Sequence, residues 1–305
     1  MPLKDSITGF IGDLTKKPWF NTFSRLFRKA LLVFIVGIII YNLYLIGWDE
    51  LWRSLPTQPM FYILFVVIFL SQPIAEMFIY RLVWPLKKRS IFKAMLTKRV
   101  YNEEVMGYSG EFYLLTWARK HLEETDWKIL AHIRDNNILS SITSTGVAFF
   151  LFGILVFTGV IDSGLLIDNV NLIYVAVGSV VAVALILVAV QFRRYIFTLP
   201  LKKALIILSI YFSRFIIHHG LLMAQWAIVI PDTPLSVWFI FVMLIIIVNR
   251  IPFLPNHDLV FLWAGIEMSR VLSVSTSSVA GMLLVYSVLK KVSNLVLYLI
   301  FEKKS

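Results

Sequence analysis

The residues of this sequence able to do chemistry are ionisable side chains set inside apolar blocks. Glu76 follows Gln72 by four residues and Pro73 by three, so the three share one helix face. Arg214 and His218 are also four apart, while His219 points elsewhere. Asn249 and Arg250 end another apolar run. Lys290 and Lys291 interrupt the last one, with Asn294 four residues after Lys290. A charge at the centre of a spanning helix costs about 2.5–3.5 kcal/mol on insertion scales, so those that persist face a protein interior or a wet cavity. Cations at Arg214, Arg250, Lys290 and Lys291 suit electrostatic retention of a phosphate. Glu76 and Glu111 suit pairing with those cations, or contact with a cationic headgroup. A purely structural reading stands beside each: an ion pair for Glu76, and for the dilysine a helix that starts late, near the interface.

Familiar catalytic constellations are missing. There is no Gly-x-Ser-x-Gly, no Walker loop, no His-Glu-x-x-His and no EF-hand loop. His257–Asp258 is only a dipeptide and lacks metal-ligand spacing. The absence of cysteine excludes disulfides, thiolate metal sites and a cysteine nucleophile. No cofactor or metal is expected. Glu103, Glu104, Glu111, Glu123 and Glu124 alternate with Lys and Arg and read as a solvated helical face.

The elements that must position these residues are membrane spans. The 305 residues are 59% apolar and 15% charged, with mean hydropathy +0.80, whereas soluble domains carry roughly 25% charged residues. Apolar blocks at about 30–48, 60–84, 138–161, 170–192, 204–230, 235–253 and 279–301 each suit a helix crossing a core roughly 30 Å thick. The expected fold is an all-α polytopic integral membrane helix bundle of about seven spans and two broken segments. Residues 1–29 read as an amphipathic lead-in, 30–301 as one transmembrane domain and 302–305 as a short tail. Trp48, Trp52, Trp84, Trp226 and Trp238 fall near span ends, where amphipathic rings sit at the interface.

The broken segments are 91–122, with Gly107 and Gly110 at its middle, and 252–272, which opens on two prolines. Interrupted helices at membrane depth are the best sequence pointer to a transport site. The sequence Pro-Leu-Lys-Lys occurs at Pro85–Lys88 and again at Pro200–Lys203, a short echo compatible with duplication. Loop charges alternate: eleven Lys or Arg lie between Arg81 and Arg134, whereas the turn after 204–230 holds only Asp232. The positive-inside rule then places the N-terminus in the cytoplasm of an inner-membrane protein. The net charge of +11 fits anionic lipid headgroups better than nucleic acid.

The order of features resembles the flippase-like membrane family that includes the transmembrane region of lysylphosphatidylglycerol synthases. Tyr101–Asn102 and Gly107–Tyr108–Ser109–Gly110–Glu111 occupy the place of the family's Gly-Glu turn, and Arg119 stands later than the family's arginine. Arg250 to Leu259, with its prolines and Asp258, fills the place of an Ile-Pro-Gly-Gly turn without the double glycine. Val285–Tyr286–Ser287 stands where the family has Leu-Tyr-Arg, and Lys290 and Lys291 follow one turn later. The resemblance implies translocation of an anionic lipid or a lipid-linked intermediate, with Glu76, Glu111, Arg119, Arg214, His218, Arg250, Asp258, Tyr286, Lys290 and Lys291 around the substrate. The partners it implies are membrane lipids, with a second copy of the chain or a lipid-biosynthesis protein also compatible. A membrane enzyme using Glu111, His121 or His218 as acid or base is the second reading, and a non-catalytic scaffold the third.

Overall fold

The computed structural model describes residues 37, 40–41, 43–104, 108–157, 198–249 and 256–302. Among these residues the structure is helical and contains no strand. We label the elements α1 (Trp48–Arg53), α2 (Pro59–Val83), α3 (Lys88–Glu104), α4 (Ser109–Arg119), α5 (Asp126–Phe157), α6 (Leu201–Val229), α7 (Leu235–Val248), α8 (His257–Val271) and α9 (Thr276–Glu302). Three are long and apolar enough to cross a membrane: α2, α6 and the Thr276–Ile300 stretch of α9. They suggest a membrane-embedded helical protein and coincide with the blocks expected at 60–84, 204–230 and 279–301.

The other expected spans differ or lie elsewhere. α7 is apolar but only 14 residues long, short of the roughly 20 that a crossing needs. α5 begins at Asp126, well before the block at 138–161. Its polar first turns still bury Ile129, Ala131 and Ile133, which extends the helix beyond its apolar run. The block at 170–192, most of 30–48 and the lead-in at 1–29 lie outside the described residues. The segment 91–122 is broken as expected, into α3 and α4. In 252–272 only α8 is described, at 15 residues.

Local chemistry sets the helix ends. Proline at the first position of α2 costs no hydrogen bond, because that N–H has no intrahelical partner in any helix. Pro85 disfavours helix at the residue before it, and Trp84 is accordingly extended, ending α2. Pro200 caps α6 in the same extended state.

The chain divides into two compact units. One contains residues 1–56 and 244–287. There α8 ends in a left-handed residue, Ser273, and the Val274 N–H donates to the Ser269 carbonyl at 2.9 Å, closing the helix end. Gly281 on α9 lies so near the Ser54 carbonyl that an added Cβ would come within 2.7 Å of it.

The second unit contains residues 57–243 and 288–305. Here α2 packs on α6 and α3, α5 packs on α6 and α4, and α3 packs on α4. Two buried clusters hold these helices together. One joins Tyr80, Trp84, Ile91, Met95, Leu114 and Ile129; the other joins Ile79, Leu139, Leu199 and Ile207. α2 and α6 are antiparallel. The Gln225 amide donates to the Phe61 carbonyl at 2.8 Å near one end, and Ile79 clusters with Leu199 and Ile207 near the other. Asp135, fully buried, fixes the start of α6. One of its carboxylate oxygens accepts from the Thr198 N–H at 2.7 Å, the Thr198 hydroxyl at 2.8 Å and the Leu199 N–H at 3.1 Å.

The tryptophans split. Trp48 and Trp52 are exposed, as an interfacial position requires, but Trp84, Trp226 and Trp238 are core residues at 0%, 2% and 1% exposure. Trp226, Trp238 and Phe241 pack ring on ring with centroids 5.7–6.0 Å apart. Each such pair contributes about 0.5–1.5 kcal/mol beyond its buried area. Position near a span end therefore did not distinguish an interfacial ring from one anchoring a helix pair.

Candidate functional site

The second unit contains a network of ionised side chains, and its origin is a proline. Pro73 has no N–H to give the carbonyl four residues earlier, so α2 leaves the Phe69 carbonyl without its helical partner. Arg99 of α3 fills that vacancy: one guanidinium nitrogen donates to the Phe69 carbonyl, and the group lies 4.0 Å from the Phe69 ring centre. Arg99 also bonds the Glu103 carboxylate through Nε at 3.1 Å, one turn along α3.

One residue away, Lys98 joins three helices. Its Nζ lies 3.1 Å from Glu76 on α2 and 3.4 Å from Glu111 in the first turn of α4. Gln72 donates to the other oxygen of Glu76 at 3.2 Å, as their shared helix face allows. The position of Glu111 at a helix N-terminus favours its negative charge. Burial opposes a charge on Lys98, but Glu76 and Glu111 more than offset it, so the ammonium is held above the usual lysine range.

The network extends to α9. Lys290 reaches Glu103 at 3.3 Å and Lys291 reaches Glu104 at 2.9 Å. The Asn294 amide donates to Glu103 at 2.7 Å and to Glu104 at 2.8 Å. Burial pushes the Glu103 carboxyl up, but Lys290 and Arg99 outweigh it and hold the group down at about 2. Lys290 and Lys291, expected around a phosphate, contact the carboxylates of α3. Of the carboxylates read as a solvated face, Glu104 and Glu123 are exposed, whereas Glu103 and Glu111 are partly buried and contact cations. Glu76 and Glu111 were expected to pair with Arg214, Arg250, Lys290 or Lys291; their partner is Lys98.

Arg214 lies beside this network without joining it. Glu76 acts on it electrostatically but is engaged by Lys98, and Arg214 Nε is buried with no hydrogen-bond partner among the described residues. One turn along, the Nδ1 of His218 is 3.1 Å from the Ser71 hydroxyl of α2. His219 turns away, as expected, and bonds the Phe215 carbonyl.

Of the remaining expected site residues, Arg119, Asp258 and Tyr286 are among the described ones. Arg119 pairs with Asp126 at 2.7 Å, with both side chains largely exposed. Asp258 sits in the first turn of α8 and Tyr286 on α9, both in the first unit. Arg250 lies outside the described residues. Of the enzyme candidates, His121 is exposed and bonds the Trp117 carbonyl at 2.8 Å. Among the described residues no group of three or more His, Asp or Glu side chains could hold a metal.

Lys98 and Arg99 are the network residues that the sequence reading missed. A signal for Lys98 was present: Ile91, Ala94, Met95 and Lys98 fall at helical spacing on one face, and all four are buried. No family model, curated protein or solved structure matches this chain.

Proposed function

We propose that this protein is a lipid translocase in which the charge network of α2, α3, α4 and α9 gives a polar headgroup a way past apolar helices. The observation that carries this reading is Lys98, buried between Glu76 and Glu111 on two different helices. An ammonium with two carboxylates can release one while keeping the other, so a headgroup can take a place in the network without leaving a bare charge. A fixed structural pair needs only one partner. Glu76 belongs to a helix long and apolar enough to span, which supports an exchange at membrane depth. The segment break between α3 and α4 and the resemblance to flippase-like proteins support the same reading.

The test is reconstitution of the full chain into vesicles carrying a headgroup-labelled phospholipid, with reduction of the outer-leaflet label. Wild type is expected to expose inner-leaflet label faster than protein-free vesicles, and Glu76→Gln to slow it. The recovered lipid should be chemically unchanged, which separates transport from headgroup modification. Vesicles with wild type that behave like empty ones would refute translocation.

A further inference from the structure

The charges of the network do not balance among the described residues. Its carboxylates are Glu76, Glu103, Glu104 and Glu111. Four of its cations, Lys98, Arg99, Lys290 and Lys291, each contact one or more of these. Arg214, beside the network, is a fifth cation and has no carboxylate within ion-pair distance among the described residues. Its Nε is buried and has no acceptor. A guanidinium does not shed its proton in proteins, so neutralisation by proton loss is closed to it.

His218, one turn from Arg214 on the same face of α6, faces a neutral group: its Nδ1 lies 3.1 Å from the Ser71 hydroxyl. Among the described residues Arg214 therefore has no carboxylate of its own and its Nε has no acceptor. A phosphodiester monoanion supplies both: a single charge, and oxygens spaced to meet the guanidinium fork. We infer that Arg214 is the anchor for one phosphate-bearing lipid headgroup, seated on the α6 face that also carries His218. This rests on the translocation reading and names its substrate class. It replaces Lys290 and Lys291 as phosphate holders, because both are already matched with carboxylates.

The experiment is a thermal shift of the full chain in detergent with three probes: dioctanoyl phosphatidylglycerol, dioctanoylglycerol and inorganic phosphate. Wild type should be stabilised saturably by the phospholipid and not by the diacylglycerol, which has the same chains without phosphate. Arg214→Met should bind the phospholipid roughly ten- to a hundred-fold more weakly, the loss expected for a hydrogen-bonded charge. Without lipid it should melt no lower than wild type, because it removes a buried charge that has no partner. That second readout separates an anchor from a structural arginine, whose removal would lower the melting point.

An equal phospholipid shift in wild type and Arg214→Met overturns the assignment, as does an equal shift from dioctanoylglycerol. A full shift from inorganic phosphate alone keeps the anion seat but overturns the lipid as its source. Translocation by wild type with no phospholipid shift removes this inference and leaves the transport reading standing. A phospholipid shift without translocation does the reverse.

Discussion

At the scale of single residues, Lys98 is the cation that ties three helices of the network together. It neutralises Glu76 and Glu111 together and is only 4% exposed. Taking charges out of water costs several kcal/mol per ion, and that cost is offset only while every partner is present. Lys98→Met therefore leaves two carboxylates crowded without a cation and should destabilise the fold by about 3–5 kcal/mol, the range for a broken buried pair. Lys98→Met combined with Glu76→Gln and Glu111→Gln should recover most of that loss, because neutral amides can hydrogen-bond one another. Chemical denaturation in detergent, compared across the variants, checks both expectations. A triple variant no more stable than Lys98→Met would mean that the lysine acts through packing rather than charge. The sequence made Glu76, Glu111 and Lys290 visible because a charge in or beside an apolar block is anomalous. Lys98 showed only through the apolar face it shares with Ile91, Ala94 and Met95, since α3 is rich in Lys and Arg and the burial comes from α2 and α4, which a local reading does not bring together.

At the scale of elements, the join between α3 and α4 sets where Glu111 stands. The Gly110 N–H donates to the Asn102 side chain at 2.7 Å, and the Ser109 hydroxyl to the Tyr101 carbonyl at 2.5 Å, so α4 starts pressed against the last turns of α3. A Cβ at Gly110 would collide with the Lys98 carbonyl oxygen and stand 2.8 Å from Asn102 Oδ1. The carbonyl is helix backbone and cannot swing aside, so Gly110→Ala must push α4 away and carry Glu111 from Lys98. We expect a loss of roughly 1–3 kcal/mol, typical of overpacking, and slower lipid translocation with it. Asn102→Ala added to Gly110→Ala should not restore either, because the main obstacle is backbone. Melting curves and the vesicle assay on both variants decide this, and recovery in the double variant would place the clash on the side chain instead. The break itself was legible from its glycines. What stayed hidden was its purpose, since the close approach that requires Gly110 involves residues eight and twelve positions earlier.

At the scale of the whole molecule, the antiparallel pair of α2 and α6 decides which charges share a side. Lys87 and Lys88 follow α2, Lys202 and Lys203 open α6, and the Ile79, Leu199 and Ile207 cluster brings these ends together. Asp232, in the turn after α6, belongs to the opposite end. α6 has 29 residues, or roughly 43 Å at the helical rise, ample for the hydrocarbon core. From the positive-inside rule we expect the basic end on the cytoplasmic side. Because the sequence has no cysteine, single cysteines report position without background. Lys88, Lys203 and Asp232 are all exposed, so Lys88→Cys, Lys203→Cys and Asp232→Cys each offer a reachable thiol. In intact cells an impermeant maleimide should label Asp232→Cys and spare the other two; in inverted vesicles the pattern should reverse. Labelling of Lys203→Cys and Asp232→Cys from one side would deny that α6 crosses at all. A fully inverted pattern would keep the crossing and place the basic end outside, so that the charge network lies nearer the outer leaflet than the inner one.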